Sequence, residues 1–353
     1  MKFASHPNPS SALPTSVSIV VIGRNEGQRL IACLNSIRTM SAGNFSYEII
    51  YVDSASTDGS AERAQALGAR VIRVHPDRPS AALGRNAGWK AASGEFILFL
   101  DGDTLLHPDF VHRALAEFRQ PELAIVWGHR RELAPRQSLY VRVLDLDWIY
   151  PPGDSEFCGG DAMMRRAVLD EVEGFDASLI AGEEPEMCRR IRARGHRILH
   201  IDAPMTLHDL AIKSFAAYWR RAYRAGHAYA EISTRYRNSP DPLWQAQARR
   251  NFVHGSAVLL APVLLLLSLL LPNAESMAIA IGIQLGLAFA LLGRSAIRSA
   301  WKADDVSSGC LYALHSHIQQ VPILFGQLAR RLDARRGLQR RLIEYKESAG
   351  KSC

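Results

Sequence analysis

The sequence predicts an α/β protein with a mostly parallel sheet and flanking helices, followed by a C-terminal transmembrane helical hairpin. Two observations carry this prediction. From residue 17 to about residue 130, short apolar runs alternate with helical stretches of about ten to fifteen residues, which is the pattern of βαβ units. Beyond residue 252, two long apolar stretches follow each other with only a short polar link between them.

The alternating region contains four largely apolar runs, "VSIVVI", "YEIIYV", "ARVIRV" and "EFILFL". Such runs predict strands that are covered on both faces, as in a parallel sheet. In sheets of this kind ligands bind beyond the carboxyl ends of the strands, so the polar residues that follow the runs predict a ligand site. These residues are Arg24, Asn25, Glu26, Asp53, Ser54, Asp101 and Asp103.

The fourth run ends in "LDGD", with two carboxylates two residues apart. Like charges at this spacing repel, and ionised carboxylates are costly to take out of water, so a compensating cation is expected. On an extended segment residues i and i+2 project to the same side, so Asp101 and Asp103 can share one ligand. Since Mg²⁺ binds one or two carboxylates together with substrate phosphates, we predict a Mg²⁺ or Mn²⁺ site that a diphosphate completes.

The stretches 253–271 and 277–293 are each long and apolar enough to cross roughly 30 Å of hydrocarbon. A buried hairpin of a soluble protein is the alternative, which the leucine density of the first stretch disfavours. Because cytoplasmic flanks are rich in Lys and Arg, the basic residues beside the hairpin place both of its outer ends in the cytoplasm. These flanking residues are Arg249, Arg250, Arg294, Arg298 and Lys302.

The chain therefore divides into five parts along the sequence. Residues 311–328 carry two His, three Gln and a Pro, which predicts an interfacial or re-entrant element rather than a third span. The basic tail predicts attraction to anionic lipid headgroups. The five parts are a flexible leader (1–16), the α/β domain (17–235), a juxtamembrane linker (236–252), the transmembrane hairpin (253–293), and interfacial helices with a basic cytoplasmic tail (294–353).

The net charge of +7 by itself fits nucleic acid, an anionic membrane or an anionic substrate. Its concentration beside the apolar stretches favours membrane lipids as a partner and argues against nucleic acid. The five cysteines are scattered and form no C-x-x-C pair. This favours a reducing compartment and argues against a zinc site or a disulfide framework.

Five sequence blocks resemble, in order and spacing, the family-2 glycosyltransferases. They are "VSIVVIGRNEGQRLIACLNSI", "YEIIYVDSASTDGS", "GRNAGWKAASGEFILFLDGDT", "GGDAMMRR" with "GFD", and "GEEPEMCRRIRARGHRI". The resemblance covers about residues 17–230. It implies a GT-A-type, Rossmann-like domain and an inverting enzyme that uses a nucleotide-sugar donor, UDP- or GDP-linked.

The resemblance also implies roles for individual residues. Ser54 is a departure, because many members have a second Asp there. Asp103 and Asp101 would bind the metal, with His208 as a further ligand; the alternative for His208 is packing at a strand end. Asp161 and Trp219 would lie on the acceptor side. The implied donor-binding residues are Arg24, Asn25, Glu26, Asp53, Ser54, Arg85, Asn86, Asp101, Arg220 and Arg221.

Glu183 and Glu184 precede Pro185, where the family has Glu-Asp before a helix. Proline suits the first helical turn, so Glu184 is expected near the N-cap, where Asp, Asn, Ser or Thr would be better. This mismatch favours a chemical role. Glu184 is the predicted general base, with Glu183 second: the base takes the proton of an acceptor hydroxyl, which attacks the anomeric carbon opposite the leaving diphosphate.

The leading hypothesis is a metal-dependent, inverting glycosyltransferase of the hexosyltransferase class, anchored in the inner membrane as a multi-pass protein with its catalytic domain on the cytoplasmic side. The anchor suggests a lipid-linked or cell-envelope glycan acceptor. One alternative is a polyprenyl-phosphate sugar synthase, whose acceptor is a phosphate rather than a hydroxyl and therefore has less need of a strong base. Another is a non-catalytic membrane scaffold with a degenerate nucleotide-binding domain. The absence of a Q-x-x-R-W pattern argues against a processive polymerase.

Overall fold

The computed structural model describes residues 15–41 and 43–338. The strands are β1 (Thr15–Gly23), β2 (Phe45–Asp53), β3 (Arg70–Arg73), β4 (Phe96–Asp101), β5 (Thr104–Leu106), β6 (Leu123–Glu132), β7 (Gly153–Asp154), β8 (Ala162–Arg165) and β9 (Arg197–His208). The helices are α1 (Gln28–Arg38), α2 (Ser60–Ala66), α3 (Ala81–Ala91), α4 (Phe110–Glu117), α5 (Leu139–Asp147), α6 (Arg166–Glu171), α7 (Glu183–Arg192), α8 (Phe215–Arg235), α9 (Gln245–Ser268), α10 (Ala274–Ser299), α11 (Val306–Ile318) and α12 (Gln320–Arg335).

One sheet forms the centre of the α/β domain, in the order β3-β2-β1-β4-β8-β6-β9-β5, with β7 paired to β9. The pairs within β1–β4 are parallel, as the alternating sequence pattern predicts. The sheet as a whole is mixed, because β8 runs antiparallel between β4 and β6, and β5 and β7 run antiparallel to β9. The predicted α/β class is confirmed, and the parallel character is confined to β1–β4 and the β6–β9 pair.

The register of the parallel strands brings the predicted polar ends to one edge. Gly23 of β1 lies opposite Asp53 of β2, and Ile22 lies opposite Asp101 of β4. Helix α3 packs closely on this part of the sheet, because a Cβ atom at Gly88 would lie 2.2 Å from Val20 Cγ1. The close packing of α3 positions its preceding turn near the same edge of the sheet.

Helices α9 and α10 are the two helices in the described part of the chain that are long and apolar enough to cross a membrane. Their apolar side chains are largely exposed, with Leu264 at 54% and Ile283 at 66%. Segment 236–252 differs from the predicted linker, because α9 already begins at Gln245. Its "QAQARR" segment is rich in good helix formers, so the helix extends upstream of the apolar stretch.

The predicted interfacial element, 311–328, is divided between α11 and α12. Helix α12 packs backbone to backbone on α8: a Cβ atom at Gly226 would lie 2.0 Å from the Ile323 carbonyl oxygen, and one at Gly326 would lie 2.0 Å from that of Tyr223. The C-terminal helices are therefore joined to the α/β domain through α8. The leader up to residue 14 and the tail from residue 339 lie outside the described residues.

Glu132, at the end of β6, is 3% exposed, and burial raises the pKa of its carboxyl to about 7. A folded pKa above the unfolded value means that stability is greatest below about pH 4.5 and falls as the pH rises through 7. We expect Glu132→Gln to raise the unfolding free energy by about 1–3 kcal/mol at pH 8 and to change it little at pH 4.5. Thermal unfolding in detergent at both pH values measures this; an equal effect at the two values would contradict it.

Candidate active site

A cleft of about 750 Å³ lies beyond the carboxyl edge of β1, β2 and β4, with α8 as its opposite wall. The structure brings most of the predicted donor-side and catalytic residues to this one cavity. A nucleoside diphosphate with its sugar is a ligand of the size that such clefts hold. The predicted residues that line the cleft are Arg24, Asn25, Glu26, Ser54, Arg85, Asp101, Glu183, Glu184 and Arg221.

The loop after β1 is fixed to the loop after β2. Asn25 has a positive φ of 56°; its N–H donates to Ser56 Oγ at 2.9 Å, and its Oδ1 accepts from the Thr57 N–H at 2.8 Å. Asp53 is buried, and its carboxylate accepts from the Ser56 N–H and from the Tyr51 hydroxyl. Asp53 lies outside the cleft lining and holds these loops in place, while its neighbour Ser54 lines the cleft.

Arg85 joins the two acidic ends of the site. Its guanidinium donates to Asp101 Oδ1 through Nη2 and to Glu183 Oε1 through Nη1, each at 2.9 Å, and the residue is only 3% exposed. The planar fork of arginine suits two carboxylates at once, and a lysine could not bridge both in this way. Because the Arg85 charge is buried, losing either carboxylate would leave it less compensated, so Arg85 fixes the distance between β4 and α7.

Asn86 faces a different part of the structure from the one predicted for it. Its amide exchanges two hydrogen bonds with the Phe175 backbone and accepts a third from Trp89 Nε1. These contacts engage both the amide nitrogen and the amide oxygen. Asn86 therefore anchors the Phe175 segment, and it lies outside the cleft lining.

The three predicted metal ligands lie in one region. Asp101 ends β4 and lines the cleft, Asp103 follows in the turn to β5 and is buried, and the pairing of Thr104 with His208 places β9 beside that turn. The carboxylate oxygens of Asp101 and Asp103 are the ligand type that hard divalent cations take. Asp101 could hold such a cation from within the cleft, whereas Asp103 and His208 lie outside the cleft lining, behind Asp101.

His208 and Asp161 form a buried pair behind Asp101, with Nε2 and Oδ2 2.6 Å apart. Burial alone would raise the pKa of the Asp161 carboxyl, but His208 and further hydrogen bonds lower it to about 2. Burial lowers the pKa of His208, yet the Asp161 charge raises it above its ordinary value. A metal ion would reach Nε2 of His208 only if Asp161 released it.

Asp161 is fully buried and does not line the cleft, where it was predicted to meet the acceptor. Its Oδ1 accepts from the Asp101 N–H at 3.0 Å and its Oδ2 from the Thr206 hydroxyl at 2.9 Å. These contacts tie β8 and β9 to the end of β4. The geometry gives Asp161 the task of holding Asp101 in place.

The two candidate bases open helix α7, and the expected capping arrangement was wrong. Gly182, with φ 84°, is the N-cap, so Glu183 and Glu184 both lie in the first turn. Carboxylates are favoured there by the helix dipole. Glu183 is paired with Arg85, whereas Glu184 Oε1 accepts from the Cys158 N–H at 2.6 Å and from Cys188 Sγ at 3.0 Å. Within residues 15–41 and 43–338, no donor contacts Glu184 Oε2, so this oxygen is available as a base.

One face of α8 forms the cleft wall opposite the sheet. Arg220 is exposed and lies outside the lining, because adjacent helical residues point about 100° apart. Trp219 packs between Phe215 and Phe325. The residues that face the cleft recur with helical spacing and are Arg221, Arg224, Ala225, Ala228 and Tyr229.

Sequence reasoning missed the aromatic end of the cleft. Trp244 has a positive φ of 60°, lines the cleft, and places its ring 4.8 Å from that of Tyr229. Non-glycine residues in this backbone region are uncommon and cluster at functional sites. No local pattern indicates this placement, because Trp244 reaches the cleft only through the turn from α8 into α9.

The sheet, the acidic end of β4 and the glutamates that open α7 define a glycosyltransferase domain of the GT-A type. The family model "Glycosyl transferase family 2" matches residues 18–172, and "Glycosyl transferase family group 2" matches residues 96–293, more than half of the chain. The chain therefore belongs to the family-2 glycosyltransferases.

Two curated relatives agree with this assignment. The pre-mycofactocin glycosyltransferase of Mycobacterium tuberculosis is 26% identical over 258 residues, which are 68% of this chain and 52% of that protein. The chain thus spans about half the length of this relative. Glycosyltransferase AglE of Haloferax volcanii is 22% identical over 232 residues, 63% of this chain and 75% of AglE.

A solved structure supports the fold. The mannosyltransferase PcManGT from Pyrobaculum calidifontis, in complex with GDP-Man and Mn²⁺, superposes with a TM-score of 0.64 at 17% identity. The superposition covers 93% of this chain and 91% of that one. The likeness therefore includes the region that follows the α/β domain.

Proposed function

We propose that this family-2 glycosyltransferase is membrane-anchored and metal-dependent, and that it transfers a sugar with inversion from a nucleoside-diphosphate sugar to a hydroxyl of a lipid-linked or cell-envelope glycan acceptor. The observation that carries the proposal is that Asp101 and Glu184 line the same cleft, with Glu184 Oε2 unengaged by any donor among the described residues. A single displacement requires a base that takes the acceptor proton and a group on the donor side that can hold a cation against the leaving diphosphate, and one cavity offers both.

In the proposed mechanism Glu184 Oε2 takes the proton of the acceptor hydroxyl. The acceptor oxygen attacks the anomeric carbon from the side opposite the nucleoside diphosphate, which inverts that centre. Arg221 and Arg224 on the opposite wall stabilise the negative charge that develops on the leaving diphosphate. A divalent cation held by Asp101 and Asp103 would supply further charge neutralisation there. Arg85 keeps the two halves of the site at a fixed separation.

The donor is proposed to be a UDP- or GDP-sugar, with Mg²⁺ or Mn²⁺ as the cation. PcManGT, whose fold this chain shares, is in complex with GDP-Man and Mn²⁺, which supports this class of donor and metal. The carboxylates of Asp101, which lines the cleft, and of the nearby Asp103 are of the ligand type that these cations take.

The position of the two apolar helices supports the proposed acceptor. Trp244 lines the cleft and is the residue that precedes α9, so the aromatic end of the cleft lies at the start of the first apolar helix. An acceptor attached to a lipid could reach this end of the cleft from the bilayer. Arg221 and Arg224 on the α8 wall would also suit a lipid phosphate, which keeps the polyprenyl-phosphate sugar synthase as the second candidate.

Nucleotide binding tests the proposed function. The purified chain in detergent is titrated with UDP, GDP, TDP and CDP, with and without Mg²⁺ or Mn²⁺, and binding is measured by calorimetry. We expect one nucleotide to bind and its affinity to require the cation, because the diphosphate completes the ligand set of Asp101 and Asp103. A folded sample that binds none of the four would contradict the proposal and favour the scaffold alternative.

Charged substitutions in the apolar hairpin test the membrane anchor. Leu264→Arg together with Ile283→Arg places a charge in each span, at a cost of about 2.5–3.5 kcal/mol per residue at a helix centre. We expect the carbonate-resistant membrane fraction to fall sharply in the double variant. Leu139→Arg, at a leucine 62% exposed on α5, is the matched control and should remain in the membrane. A wild-type chain that carbonate already extracts would overturn the anchor.

A further inference from the structure

Two of the five scattered cysteines meet beside the proposed base. Cys158 precedes the Gly159 turn and Cys188 lies on α7, one helical turn after Glu184. The two Sγ atoms are 3.6 Å apart, and Glu184 Oε1 is 3.0 Å from Cys188 Sγ. All three side chains are buried, and one ligand atom from each lies within 4.8 Å of the others.

We propose that Cys158, Cys188 and Glu184 form a binding site for a soft divalent cation of the zinc class. Two thiolates that share one tetrahedral zinc ion lie about 3.8 Å apart, since each Zn–S bond is about 2.3 Å long. The 3.6 Å between the sulfurs of Cys158 and Cys188 needs little adjustment. Sulfur ligands select zinc and cadmium over Mg²⁺, so this site would not compete with Asp101 and Asp103 for their cation.

The surroundings supply the outer contacts that such a site needs. The Cys158 N–H donates to Glu184 Oε1 at 2.6 Å and would orient this carboxylate as a ligand. Two thiolates and a carboxylate would leave one excess negative charge around a divalent ion. Arg130 can offset this charge, because its guanidinium lies against Gly159, the residue after Cys158: a Cβ atom at Gly159 would lie 1.9 Å from Arg130 Nη1. In the described part of the chain, the buried Nε of Arg130 has no hydrogen-bond partner.

Cation binding at this site must release protons. Both thiols are fully buried, and burial disfavours the charged thiolate of each, which raises both pKa values. A thiol binds a metal ion as the thiolate, and uptake therefore strengthens as the pH rises.

Occupancy of the site would act on the transfer reaction through Glu184. A cation on Oε1 withdraws charge from the carboxylate and weakens it as a base, while the donor side of the cleft is untouched. This consequence rests on the proposed role of Glu184, whereas the binding of the cation does not. The site would therefore slow transfer without weakening nucleotide binding.

Cadmium is the probe that tests the site, because cadmium thiolates absorb in the ultraviolet. The full chain in detergent, with saturating Mg²⁺ and no added thiol, is titrated with CdCl₂. We expect one Cd²⁺ per chain, release of two protons, and displacement of the absorption by Zn²⁺. Cys158→Ala and Cys188→Ala should each remove the absorption, and Cys310→Ser, at an exposed cysteine, should retain it.

X-ray absorption of the cadmium-loaded wild type gives a second measurement that needs no variant to fold. Two sulfur ligands around cadmium support the site, and a cadmium ion without sulfur ligands overturns it. The site is also overturned if Cys310→Ser alone removes the ultraviolet absorption. Sulfur-bound cadmium with an unchanged transfer rate would overturn the proposed effect through Glu184. Nucleotide titration of the cadmium-free chain in saturating Mg²⁺ tests the proposed function separately, because nucleotide binding involves neither cysteine.

Discussion

Glu184→Gln should bind the nucleotide as the wild type does and transfer sugar about 10²–10⁴-fold more slowly, the usual contribution of a general base. The carboxamide has the same length, and its oxygen can still accept from the Cys158 N–H. It cannot take a proton from the acceptor hydroxyl. Transfer of radiolabelled sugar onto extracted membrane lipids measures the rate, and calorimetry measures nucleotide affinity.

Glu183→Gln is the matched control, because it removes the same charge one residue earlier. It breaks the ion pair of Glu183 with Arg85, so we expect weaker nucleotide binding with a smaller loss in the rate of the bound complex. If Glu184→Gln keeps transfer within about tenfold of wild type while Glu183→Gln loses it, Glu183 is the base. If both keep transfer, the base lies elsewhere in the cleft.

The sheet edge could be predicted because its signals are local. Each strand of the parallel part is a short apolar run, and each polar cluster follows its own run directly. The register that places Gly23 beside Asp53 then follows from parallel pairing alone. For the same reason Asp101 and Ser54 could be assigned to the cleft side before the fold was known.

The α8 wall was predicted less well, for a reason that lies in helix geometry. Arg220 and Arg221 are adjacent in sequence and were both assigned to donor binding, but only Arg221 shares a face with Arg224 and Tyr229. The spacing of these residues, i, i+3 and i+8, could have separated them. The sequence alone does not say which helical face meets the cleft.

The contacts behind the site depend on distant segments and carried no local signal. His208 and Asp161 are 47 residues apart in sequence, and Cys158 and Cys188 are 30 apart. Both pairs form only when β8, β9 and α7 have packed around the end of β4. The spacing rules for metal and disulfide cysteines describe sequence neighbours, so they do not find a pair of this kind.

Asp103→Asn should remove the metal dependence of nucleotide binding. Asp103 is buried in the β4–β5 turn beside Asp101, and the carboxamide keeps its shape while halving the negative charge available to a cation. We expect nucleotide affinity in Mg²⁺ to fall by more than about tenfold, to the value measured without metal, since even outer partners of a metal site contribute 10–100-fold. Calorimetry with and without Mg²⁺ measures it.

Asp170→Asn on α6 is the matched control for that experiment, because its side chain is 57% exposed and lies outside the cleft lining. It should leave both affinities unchanged. Asp101→Asn distinguishes the roles of the two carboxylates. Asp101 also accepts from Arg85, so loss of the Asp101 charge should weaken nucleotide binding even without metal. If Asp103→Asn keeps full metal dependence and Asp101→Asn loses it, the cation is held by Asp101 alone, and Asp103 serves only to shape the turn.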